Sequence, residues 1–175
     1  MKVVIRAVEI KDADIIYKWE NDFSLWEISS TRMPYSHYAI EQYVKNTQNE
    51  DIYSGRQARF MIDIDKEDGT TETIGCIDLY DFDPQHQRAG VGIFIEDGPW
   101  RRKHIALEVL DRLWNYAITI LNLHQLYCHI PSYNTASRKL FSKAKYQHTA
   151  TLKDWLLSSD KTVDIEVYQK IKNKK

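Results

Sequence analysis

The chain has 175 residues, a length suited to a single domain spanning residues 1–175, and its 6 Gly and 4 Pro are too few for a long flexible linker. With 43% hydrophobic and 12% aromatic residues it can bury a core, which excludes intrinsic disorder and a stapled miniprotein. Lys plus Arg total 24 against 25 Asp plus Glu, so a net charge of -1 gives no global field to draw nucleic acid or anionic membrane.

Val3 to Val8 reads as a first strand, and Asp12 is placed to cap a short helix carrying Ile15, Ile16 and Trp19 on one face. Phe23 to Pro34 has no clear period and reads as loop or a broken turn. Ser36 is placed to cap a second helix, in which Ile40, Tyr43 and Val44 recur at helical spacing. Phe60, Ile62 and Ile64 alternate with polar neighbours, Asp68-Gly69 supplies a hairpin turn, and Thr73 to Tyr80 returns as an antiparallel strand. Arg88 to Ile95 follows as a third antiparallel strand, with Ala89, Val91, Ile93 and Ile95 on one face.

The strongest pattern is a helix from about Arg102 to Leu121, whose Ile105, Val109, Leu110, Leu113, Ala117 and Leu121 trace a broad apolar stripe. Gln125 to Ile130 is a buried strand closed by Pro131, and Asn134 is placed to cap a helix reaching about Lys145. Thr149 to Leu157 and Val163 to Ile171 then flank a polar turn as a terminal hairpin. The order β, α, α, β, β, β, α, β, α, β, β predicts an α+β (mixed α/β) fold. It has one mixed, mostly antiparallel sheet of about six to seven strands, flanked by about four helices.

Cys76 and Cys128 lie in separate strand-like runs, which argues against a disulfide framework and for a reducing, cytoplasmic setting. The N-terminal stretch breaks its apolar run at Arg6, Glu9 and Asp12, unlike a signal peptide, and no run approaches a membrane span. Gly90-Val91-Gly92 lies inside a strand and is not a dinucleotide fingerprint; serine-hydrolase and P-loop motifs do not occur. His124, Cys128 and His129 lack a metal-binding spacing, so no metal is expected. The lysine-rich tail from Lys170 reads as a solubilising terminus rather than a nucleic-acid arm.

The most informative stretch is strand Val91 to Ile95, then Glu96-Asp97-Gly98-Pro99, then Trp100-Arg101-Arg102-Lys103-His104-Ile105-Ala106 at the start of the long helix. Cations at a helix N-terminus oppose its dipole, so a purely structural sequence would rather place acids there. The free N–H groups together with Arg101, Arg102 and Lys103 instead suit a bound phosphate.

This junction resembles the Q/R-x-x-G-x-G/A loop of the GNAT family of acyl-CoA-dependent N-acyltransferases, which Arg101 to Ala106 matches at its first and last positions. A second match is Asn134-Thr135-Ala136-Ser137-Arg138-Lys139-Leu140-Phe141-Ser142-Lys143-Ala144-Lys145-Tyr146, similar to the family's N-x-x-A/S-x-x-L-Y/F-x-K-x-G-F segment. The resemblance spans essentially the whole chain. It is nearest the branch of spermidine N-acetyltransferases and ribosomal-protein N-terminal acetyltransferases, as in Ile74-Gly75-Cys76-Ile77-Asp78-Leu79 and Leu121-Asn122-Leu123-His124-Gln125-Leu126-Tyr127.

The resemblance implies acetyl-CoA as co-substrate, with a small polyamine or a protein N-terminus as acceptor and direct transfer in a ternary complex. It implies that backbone groups of Phe94 and Ile95 meet the pantetheine arm, that the amides of Arg101, Arg102, Lys103, His104, Ile105 and Ala106 cradle the pyrophosphate, and that Asn134 contacts the pantetheine region while also capping its helix.

Two positions depart from the family. His104 stands where the family has glycine, at a cost of about 1 kcal/mol if a positive φ is required. Phe141 stands where many members have a tyrosine that protonates the CoA thiolate, and it has no proton to give; Tyr133 and Ser137 are the nearby substitutes. These departures keep a non-catalytic acyl-CoA-binding module as the alternative.

Amine acetylation also needs a base for the substrate ammonium. Asp78 is the candidate, although Asp78, Asp81 and Asp83 are better described as a solvated acidic strand edge with a turn at Asp83-Pro84. Glu27 and Glu41, in the helical region that covers the acceptor in this family, are either substrate-binding carboxylates or surface charges. Exposed strand edges and five Trp are compatible with a homodimer.

Overall fold

Period-two alternation gives the central strands two unlike faces. The computed structural model, which describes residues 2–29, 31, 33–100, 104–158 and 161–173, shows what covers each face. The strands are β1 (Lys2–Ala7), β2 (Ala58–Asp65), β3 (Thr71–Asp83), β4 (Arg88–Ile95), β5 (Gln125–Pro131), β6 (Gln147–Ser158) and β7 (Lys161–Ile171). They form one sheet in the order β1-β2-β3-β4-β5-β7-β6, antiparallel throughout except for the β4–β5 pair. The helices are α1 (Ala13–Glu20), α2 (Phe23–Ser29), α3 (His37–Thr47), α4 (Ile52–Gly55), α5 (Ile105–Thr119) and α6 (Thr135–Lys143). The fold is thus the expected mixed α/β arrangement, and among the described residues no helix is long and apolar enough to cross a membrane.

One face of β3 presents Ile77 and Leu79, both fully buried with Ile62, Ile64, Val91 and Leu126 under α5. The α5 stripe supplies Ile105, Val109, Leu110 and Leu113, each contributing about 2 kcal/mol on burial. The other face presents Cys76 beside Met61, covered by Ile16 and Trp19 of α1 and by Ile40 and Val44 of α3. Ser36 caps α3 as expected, accepting from the Ala39 N–H at 3.1 Å.

Three local expectations change. The segment from Phe23 to Pro34, expected as loop, contains helix α2 over Phe23–Ser29, because Asp22 accepts from the Ser24 N–H and Trp26 donates to the Glu20 carbonyl at 2.9 Å. Helix α4 is a single turn too short to show a period, and with α2 it accounts for six α-helices among the described residues rather than about four. Asp12 does not cap α1 with its side chain. Its carboxylate accepts from the Glu9 N–H and takes Arg6 at 2.6 Å, while Arg6 also binds Asp63 at 2.6 Å. That buried ion cluster ties the entry of α1 to β1 and β2.

Candidate active site

Strand β4 pairs with β3 from Gly75↔Ile95 to Tyr80↔Gly90, but with β5 only over Arg88↔Gln125, Ala89↔Leu126 and Gly90↔Tyr127. β5 continues against β7 as far as Pro131↔Ile165. The two parallel strands therefore part beyond Gly90. A cavity of about 800 Å³ occupies the opening, lined by Gly92, Ile93, Phe94 and Ile95 of β4.

On the α5 side the cavity is lined by His104, Ile105, Ala106 and Leu107 and, from α6, by Ser137, Lys139, Leu140 and Lys143. The first N–H groups of a helix have no intrahelical partner, so the start of α5 presents donors and the positive end of its dipole to this space. His104 has φ 62° and ψ 5°, the left-handed conformation that glycine adopts freely. Asn134 also lines the cavity; its side-chain oxygen accepts from the Ser137 N–H at 3.1 Å, so it is a helix cap placed at the wall. Arg101, Arg102 and Lys103 lie outside the described residues.

On the opposite face the lining is Trp19, Glu20 and Leu25, then Arg59, Cys76 and Asp78. Arg59 grips Asp78 with two bonds, Nε to Oδ1 and Nη2 to Oδ2, both 2.9 Å, and reaches Glu20 Oε1 through Nη1 at 2.7 Å. Burial opposes the Arg59 charge, but the Asp78 carboxylate outweighs it and holds the guanidinium well above its ordinary pKa. Burial pushes the Cys76 thiol up to about 12, so it is neutral and packs rather than reacts. Trp19 meets Phe94 edge-on at 5.2 Å, giving this end an apolar wall. Two carboxylates, one guanidinium and a neutral apolar lining are chemically suited to receive a single cation.

Among the residues expected from the sequence, the cavity brings together Phe94, Ile95, His104, Ile105, Ala106, Asn134, Ser137 and Asp78. Tyr133 is 52% exposed and away from this lining. Glu41 lies on α3 between His37 and Lys45, each at 4.0 Å, and is also outside the lining. Glu27 sits on α2, whose Leu25 reaches the cavity. Asp83 accepts from the His86 N–H and pairs with Arg88, the work of a turn residue. Sequence reasoning missed Glu20 and Arg59. The signal was faint: alternation puts Arg59 on the Met61 face of β2, where a charge is out of place without a partner.

The sheet of seven strands parted between its parallel pair, with a helix N-terminus at the opening, is the arrangement that the resemblance to the GNAT acyltransferases implies. The GNAT acetyltransferase domain family matches residues 2–147, and the chain belongs to that family. It is therefore an N-acetyltransferase with acetyl-CoA as co-substrate, and the opening and helix start described above fit that group. The chain is 25% identical over 171 residues to the uncharacterized N-acetyltransferase p20 of Bacillus licheniformis, covering 98% of this chain and 93% of that protein. It is 25% identical over 148 residues to the spermidine N(1)-acetyltransferase of Vibrio cholerae, covering 83% and 79% respectively. A crystal structure of the Vibrio cholerae spermidine N-acetyltransferase in complex with CoA and spermine shares the fold, with TM-score 0.80 and 21% identity over 97% of this chain and 95% of that one. Among the described residues no group of three or more His, Cys, Asp or Glu is arranged to hold a metal ion.

Proposed function

We propose that residues 1–175 form a single cytoplasmic acetyltransferase domain that moves an acetyl group from acetyl-CoA to a cationic primary amine, a polyamine or a protein N-terminus, by direct attack in a ternary complex. The observation that carries this reading is one cavity with a helix N-terminus at one end and the Asp78–Arg59–Glu20 cluster at the other. Amides at the start of α5 and the side chains of Arg101, Arg102 and Lys103 hold the pyrophosphate, while backbone groups of Phe94 and Ile95 and the side chain of Asn134 meet the pantetheine arm. Asp78 takes a proton from the acceptor ammonium, and the freed lone pair forms the C–N bond with the thioester carbonyl carbon. The C–S bond breaks, the nitrogen's remaining extra proton passes to the departing sulfur through Ser137 or water, and Asp78 returns its proton to solvent. A thiol of pKa near 8.5 is a weak enough base that a dedicated acid is dispensable. Glu27 and Glu41 then serve the outer path of the acceptor by charge. Exposed Trp155 and Leu157 on the edge strand β6 support a homodimer.

The test is CoA release from acetyl-CoA with butylamine, 1,4-diaminobutane, spermidine and a tripeptide as acceptors. Turnover with at least one supports the reading, and a low KM for the polyamines over the tripeptide selects the small-molecule acceptor. Acetyl-CoA binding without transfer to any amine would refute it.

A further inference from the structure

Glu20 and Asp78 line the same cavity wall, with side chains 22% and 29% exposed. Between them sits Arg59, 18% exposed, which spends Nη1 on Glu20 and its Nε–Nη2 fork on Asp78. A guanidinium fork holds a carboxylate in one plane, which a point charge cannot do.

Among the described residues, the groups nearest the Arg59 guanidinium are neutral. From α3, Tyr43 lies under the guanidinium at 5.6 Å, and burial raises its phenol, so it is neutral. From β3, Cys76 is neutral, and from β4 the residue opposite Asp78 is Gly92. From α1 the neighbour is Trp19, and the lysines that line the cavity, Lys139 and Lys143, belong to α6. Two negative charges and one positive therefore leave the cluster at -1, which one ammonium neutralises.

We propose that Arg59 is a positioning residue that holds Glu20 and Asp78 as a paired seat for the acceptor ammonium, a role that rests on the amine acetylation reading above. Glu20 is the half of the seat that binds, and Asp78 is the half that takes the proton. An acceptor with its own carboxylate next to the amine, such as a free α-amino acid, is repelled from a seat of this charge.

The experiment uses whichever amine the wild-type protein turns over. It measures kcat and the KM of each substrate for Arg59→Gln, Arg59→Lys and Glu20→Gln, with acetyl-CoA affinity followed separately by thermal shift. Removing the guanidinium leaves the two carboxylates without their shared clamp, so Arg59→Gln raises the KM of the amine about tenfold or more and lowers kcat. Acetyl-CoA affinity stays at the wild-type value. Arg59→Lys keeps the charge but loses the fork, so kcat still falls about tenfold or more. Glu20→Gln raises the KM of the amine and leaves that of acetyl-CoA unchanged. A folded Arg59→Gln protein with the wild-type kcat and amine KM overturns the proposal. Should Arg59→Gln not fold, a wild-type kcat in Arg59→Lys overturns it instead. A wild-type protein that releases CoA with no amine overturns the acetylation reading and the seat together, whereas turnover in wild type with either variant result above removes the seat alone.

Discussion

Phe141 occupies the position at which many relatives in the family carry a tyrosine, and its surroundings decide what replacing it does. The ring is 3% exposed in the core under α5 and α6 and meets Tyr146 edge-on, with centroids 5.0 Å apart. Its neighbours Ser137 and Leu140 line the cavity, and Phe141 does not. Phe141→Leu is close to volume-conserving, so repacking costs less than about 1.5 kcal/mol, and loss of the aromatic pair adds about 1 kcal/mol. The total of about 2 kcal/mol lowers Tm by about 6 °C in a chain of this length. Phe141→Tyr buries a hydroxyl in an apolar core at about 2 kcal/mol and supplies no proton to the cavity. Both variants should retain transfer, with kcat changed by less than the roughly 100-fold typical of a lost general acid. Thermal unfolding and CoA release at saturating acetyl-CoA measure the two quantities separately. A Phe141→Leu protein that folds and binds acetyl-CoA yet transfers nothing would give the ring a role in the chemistry and refute this reasoning.

Three further outcomes follow from single residues. His104→Gly relieves the left-handed backbone at φ 62° and should raise Tm by about 2 °C, a gain of about 0.5–1 kcal/mol; a fall in Tm contradicts the strain. Burial disfavours the Asp12 carboxylate, but hydrogen bonds from Arg6 and from the Glu9 N–H outweigh it and hold its pKa below the ordinary 3.8. The stabilisation is therefore complete above that unfolded-state value and is lost as pH falls through the lower folded one, so Asp12→Asn should cost about 3 kcal/mol at pH 7 and progressively less in acid. Urea titrations at several pH values check this, and a pH-independent difference contradicts it. Joint charge reversal at Arg101 and Arg102 should weaken acetyl-CoA binding with Tm preserved, as isothermal titration would show; an unchanged Kd removes the helix start as the phosphate site.

Most of the fold was legible because its elements carry their periods locally. The α5 stripe, the Ile62-to-Ile64 alternation and the Asp68-Gly69 turn each need only neighbours in sequence, and Gly69 has the expected positive φ of 83°. Helix α2 was not legible, since it is seven residues long and is held by bonds that its Ser24 and Trp26 donate to Asp22 and Glu20 outside its own span. The Asp12 carboxylate was misassigned for a related reason. A cap is a local guess, and here a stronger donor, Arg6, arrives from β1 and takes the oxygen.

The site divides along the same line. Its donor half is a strand, a loop and a helix start in one continuous stretch, so the chain announces it in order. The half proposed to seat the acceptor is assembled from α1, β2 and β3, with Glu20 and Arg59 39 residues apart and Arg59 and Asp78 19 apart, and no window of sequence contains it. The point where the sheet opens is of the second kind as well. A Cβ on Gly90 would stand 2.2 Å from Cε2 of Tyr80, so glycine is what lets that ring lie across β4 at the last pair before the strands part. In sequence Gly90 is one small residue in an apolar strand. It becomes a constraint only when β3 delivers Tyr80 to the same face, and the residues proposed to seat the acceptor depend on that same lateral pairing.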